Sequence, residues 1–171
     1  MSILTILKGT PIWVWILFIF LVKRGFNALY DREMRIERLF FMPIVFFIWA
    51  VYNVLNEKIY LTPALSMLAL GIFVGGVIGW GLWSRQPRLR AGSKSGLIIR
   101  SGTPLTLILI LLVFIVKFII SVMLNTSSTL SHSFNFNLLF GFVSGLSAGV
   151  FWGGTLNLFT HYHKNNSKQM Q

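Results

Sequence analysis

Long apolar runs separated by short polar connections dominate the chain, and each run has the length of a bilayer rather than of a soluble core helix. A hydrocarbon layer about 30 Å thick takes roughly 20 residues of helix, because every backbone N–H and C=O needs an internal partner where water is absent. Five segments meet or nearly meet that need, at about 11–29, 39–55, 63–83, 104–124 and 138–159. The pattern predicts an all-α fold, a polytopic membrane helical bundle of five transmembrane helices. Residues 1–160 form a single transmembrane domain on this basis, and 161–171 a disordered tail.

Prolines mark three of the starts. Thr10 and Pro11, Thr62 and Pro63, and Thr103 and Pro104 each place a hydroxyl at an expected N-cap and a proline at the first helical position, where its missing N–H costs nothing. Spans two and three also resemble spans four and five as hairpins. Each opens near a basic residue and a proline (Arg38 and Pro43; Arg100 and Pro104) and returns on a glycine-rich helix.

Charge orients the bundle. Twelve Lys and Arg residues lie on the side of the first and third connections and the C-terminal tail, against Lys8 and Lys58 on the other side, with Lys117 set apart. The positive-inside rule then predicts the N-terminus outside and the C-terminus in the cytoplasm. Trp13 and Trp15 near the start of span one, and Trp80 and Trp83 near the end of span three, fit an aromatic belt at the two interfaces.

Composition agrees with a membrane solvent: 55% of residues are hydrophobic and 11% charged. A net charge of +11 would suggest nucleic acid if the basic residues shared one water-facing surface, but here they sit between apolar runs, so no nucleic-acid partner is expected. The longest basic connection, 84–102, carries Arg85, Arg88, Arg90, Lys94 and Arg100 with no acid, and suits anionic lipids as well as topology. Cysteine is absent, which removes disulfides, thiolate metal sites and cysteine nucleophiles.

Small residues recur every fourth position in two spans. Gly71, Gly75 and Gly79 share one face of span three, and Gly141, Gly145, Gly149 and Gly153 one face of span five. In lipid, helix association depends on close backbone approach, so these faces are expected to pack, within one chain or against a homo-oligomer or membrane-protein partner.

Lys117 interrupts the apolar run of span four, where a charge costs about 2.5–3.5 kcal/mol on insertion scales. It shares a polar arc of about 100° with Thr106, Ser121 and Asn125. Asn53, Ser121 and Ser144 are expected at its level, with Glu57 near the outer mouth, as a candidate intramembrane polar cluster. Lys117 then either snorkels or bonds helices together, or it serves a ligand, anion or proton.

No HExxH, GxSxG, phosphate-loop or dinucleotide motif occurs, and His161 and His163 match no zinc spacing. No enzyme activity, cofactor or metal is expected.

At TPIWVW (Thr10 to Trp15) and SGTPLTLILILLVFIVKF (Ser101 to Phe118) the chain resembles a family of small bacterial inner-membrane proteins of unknown function. The resemblance implies a multi-pass protein of the bacterial cytoplasmic membrane. It also marks Lys117 and two Thr-Pro starts as family features, while Ser101 and Phe118 stand where the family pattern has proline and tyrosine.

Overall fold

The computed structural model describes residues 12–55, 60–92, 97–126 and 132–169. Along the chain they form α1 (Ile12–Asn27), β1 (Arg32–Arg35), α2 (Glu37–Leu55), α3 (Leu61–Ser84), β2 (Arg90–Ala91), β3 (Leu97–Arg100), α4 (Pro104–Thr126) and α5 (Phe134–Gln169). Helix dominates, as the apolar runs predict, and a small sheet that an all-helical expectation omits is added to it. Among the described residues three helices are long and apolar enough to cross a membrane: α2, α3 and the Phe134–Lys164 part of α5. α4 contributes the shorter apolar stretch Pro104–Ile120, and α1 has 16 residues, about 24 Å of helix. Thr10 and Pro11 lie outside the described residues.

Helix ends follow the orphan-donor rule more loosely than the Thr-Pro pairs predict. α3 starts at Leu61, with Tyr60 rather than Thr62 at the cap position and no side-chain cap bond. The first i to i−4 bond is donated by Ala64 N–H to the Tyr60 carbonyl at 3.0 Å. Pro63 therefore occupies the last position whose N–H would lack a helical partner, so it is tolerated without being first. α4 does begin at Pro104, directly after Thr103. Pro43 lies inside α2, buried, where it removes one backbone bond near the helix start. α5 starts four residues before the predicted 138 and runs to Gln169, through the segment expected to be disordered.

The chain divides into two compact units, Met1–Asp31 with Gly102–Ser128, and Arg32–Ser101 with Thr129–Gln171. In the first, α1 and α4 run antiparallel. Gly25 faces Leu107 and Phe18 packs on Phe114 with ring centroids 4.8 Å apart, so seven residues forward along α1 match seven back along α4. A backbone joint closes this pair at one end. Thr103 N–H donates to the Ala28 carbonyl at 2.8 Å, and Gly102 N–H donates to the Asp31 carboxylate at 2.7 Å. Gly102 is required there, since a Cβ would meet the Leu29 carbonyl.

In the second unit α5 packs along α3 and α2. Gly141, Gly145, Gly149 and Gly153 face the α3 backbone at Ala64, Leu68, Ile72 and Gly76, while Gly71, Gly75 and Gly79 face the α5 backbone at Phe142, Leu146 and Val150. Matching residues advance by the same step on both helices, so the pair is parallel. At every one of these glycines an added Cβ would meet a backbone oxygen closer than real Cβ atoms come. α2 instead meets α5 through rings. Phe46 stacks on Phe151 at 4.5 Å and 9°, and Phe40 packs against Phe159 and Trp152. Where the three helices meet, Ala50, Val54, Ala64, Leu68 and Ala148 form a buried core. The resemblance between hairpins does not carry into packing: α4 pairs with α1 inside its unit, and α5 with α2 and α3.

The second unit also holds an antiparallel sheet in the order β1-β3-β2, with Arg32 opposite Arg100, Met34 opposite Ile98 and Arg90 opposite Ile99. One residue separates β1 from α2, and five separate α3 from β2, so the sheet lies at the end where α2 begins and α3 stops.

Candidate functional site

Lys117 belongs to the buried line of α4. Thr106, Ile110, Val113, Lys117 and Ile120 follow steps of three and four, and all are buried, Lys117 at 9% exposure. Ile108, Leu112, Ile115 and Ile119 occupy the exposed line. The lysine thus sits among inward-facing side chains, away from the exposed apolar line, and the α1–α4 register puts it level with Trp15.

Asn53, half-buried, and Ser144, buried, belong to the second unit, whereas Lys117 belongs to the first. Glu57 and the Ser121 side chain lie outside what is described. Ser144 is one of a row of buried polar residues on α5, with Asn137, Ser147, Thr155 and Asn157. Their helix satisfies part of this row: Ser147 Oγ donates to the Ser144 carbonyl at 2.8 Å, and Asn137 Nδ2 to the Ser133 carbonyl at 3.0 Å. Among the described residues, Nδ2 of Asn157 is a buried donor with no hydrogen-bond partner. Asn157 lies four residues beyond Gly153 and continues the glycine spacing, a signal the sequence offered and the glycine-only pattern passed over.

A second concentration of charge was not foreseen as one surface. The sheet draws Arg32 and Arg35 from the first connection beside Arg90 and Arg100 from the third. Side chains directly opposite each other share a face. Met34 and Ile98 form a buried face, at whose end Arg32 and Arg100 stand half-buried, and burial pushes the Arg32 guanidinium below its ordinary pKa. Arg35, Glu33 and Arg90 project, exposed, from the opposite face, where Leu97 and Ile99 are half-buried. Arg85 and Arg88 are exposed just before β2, and Lys94 lies outside the described residues. Neither REMR nor LIIR alternates apolar and polar residues along its length, and each run is only four residues long, so the sequence offered little strand signal.

Of the two tryptophans near the end of α3, Trp83 is buried with its ring over Gly154, whereas Trp80 is exposed. His163 stacks on Phe159 with ring centroids 6.4 Å apart.

Residues 1–168 match a family described as "Family of unknown function (DUF6622)". No curated protein and no solved structure matches the chain.

Proposed function

The chain belongs to this family of unknown function, and we propose that it is a non-enzymatic, five-span protein of the bacterial cytoplasmic membrane, N-terminus outside. Its glycine-lined helices hold a rigid body that works by binding. The observation carrying this proposal is the α3–α5 seam, in which seven glycines meet the partner helix's backbone. Contact of that kind suits lipid, where apolar side chains gain little from leaving the solvent and close backbone approach must supply the attraction. The large exposed apolar residues of α2, among them Phe41, Ile44, Phe47 and Ile48, suit hydrocarbon around the same unit. Because the glycine faces meet inside the chain, association with a second copy or a membrane partner falls to such outward surfaces.

Placement is testable on a background without native cysteine. Arg88→Cys is expected to react with a membrane-impermeant maleimide only after cells are permeabilised, and Ser128→Cys in intact cells. The reverse pattern would refute the orientation, and release of the chain by carbonate would refute membrane insertion.

A second reading is favoured by the burial of Lys117: a small oligomeric transporter or channel with a polar site around that ammonium. On this reading purified protein in vesicles carries anions, and Lys117→Met abolishes the flux while leaving oligomeric size unchanged. Flux equal to that of protein-free vesicles, or unaltered by the substitution, removes the transport reading.

A further inference from the structure

We propose that the exposed face of the β1-β3-β2 sheet is a docking surface for anionic phospholipid headgroups. Arg35 stands opposite Leu97, and both Glu33 and Arg90 stand opposite Ile99, so these five residues share one face. The middle strand supplies the aliphatic pair, and the two outer strands flank it with guanidinium groups. The opposite face has its Met34 and Ile98 buried, which leaves this one to meet a partner.

Position selects the partner. With one residue between β1 and α2, and five between α3 and β2, the sheet stays at the ends of two apolar helices. Those ends lie at headgroup depth, given the membrane placement proposed above. There Leu97 and Ile99 can rest on the glycerol and upper acyl region while the arginines reach phosphate oxygens, which the planar guanidinium grips in pairs. The sign of the charge points the same way. Exposed Arg88 adjoins β2, and Arg32 and Arg100 add positive charge at the sheet's end. Among the described residues Glu33 is the single carboxylate on the face, and the whole of 84–102 contains no acid. A zwitterionic headgroup balances its own phosphate with an ammonium, so the surface favours lipids with net negative charge.

Native mass spectrometry of the full chain in detergent, with phosphatidylglycerol or phosphatidylcholine added, tests this. The wild type is expected to retain phosphatidylglycerol preferentially. Arg35→Gln combined with Arg90→Gln should weaken that binding by roughly tenfold or more, from about 1 kcal/mol per arginine. Arg35→Lys with Arg90→Lys should keep most of it, and Lys23→Gln, on exposed α1 surface, should leave it unchanged. Equal retention of the two lipids by the wild type overturns the proposal without reference to any variant, as does displacement of lipid by millimolar inorganic phosphate. An unchanged double Gln variant does the same. The measurement is indifferent to orientation, so failure of the labelling experiment and failure of lipid selection are separate outcomes.

Discussion

Two tryptophans three residues apart on α3 meet opposite surroundings. Trp83 lies buried over Gly154, and Trp80 is 43% exposed. Three residues turn a helix by about 300°, leaving the two rings only about 60° apart, so the sequence alone places both in one belt. What separates them is Gly154, adjacent to Gly153 of the four-residue stripe and able to admit an indole where any Cβ would meet the ring. Trp83→Ala is expected to cost about 3–5 kcal/mol, the usual figure for emptying a buried aromatic site, and Trp80→Ala far less. Reversible unfolding in mixed micelles would compare them, and equal losses would contradict the packing. Gly102 shows the converse kind of legibility. The Gly-Thr-Pro run is plain to see, but its reason is a carbonyl at Leu29 and a carboxylate at Asp31, over 70 residues away in the chain.

Periodicity revealed the long helices and hid the short strands. A stripe such as Gly141 to Gly153 spans three full steps of four and stands out from chance, and it lies against the α3 backbone. Strands of four residues give period-two alternation too little length to register, and their arginines already had an explanation in topology. The stripe yields a comparison using one substitution at two places. Gly149→Ala puts a methyl into the Ile72 carbonyl and must part α3 from α5, at a cost of roughly 1–3 kcal/mol. Gly81→Ala meets nothing within 4 Å and should be neutral or slightly stabilising through helix propensity. If both changes shift the unfolding midpoint in micelles alike, the tight seam is not what holds these helices together.

Two compact units imply two levels of protection. The three-helix unit has a backbone-to-backbone seam, a ring-packed side and a buried core, whereas among the described residues the α1–α4 pair shows the Phe18–Phe114 contact, the close approach at Gly25 and the joint at Gly102. Hydrogen exchange in detergent should find the slowest amides at Ala64–Gly79 and Gly141–Gly153, opening together, with α1 and α4 exchanging earlier. Uniform exchange across all five helices would show one cooperative body instead. The hairpin resemblance does not foresee this grouping because consecutive hydrophobic segments look alike whichever neighbour they choose, whereas the glycines of α3 and α5 face each other's backbone.

The same seam sets a schedule for synthesis. Some 57 residues separate Ser84, where α3 ends, from Gly141, where its matching glycine face begins. At about 5–20 residues per second, a ribosome needs roughly 3–11 s to deliver the partner. In the membrane placement proposed above, the newborn helix presents a bare groove to the bilayer throughout that interval, and a helix from another nascent protein can occupy it. The period of greatest vulnerability to wrong pairing thus falls during biogenesis, which is when an insertase or membrane chaperone would have most to guard.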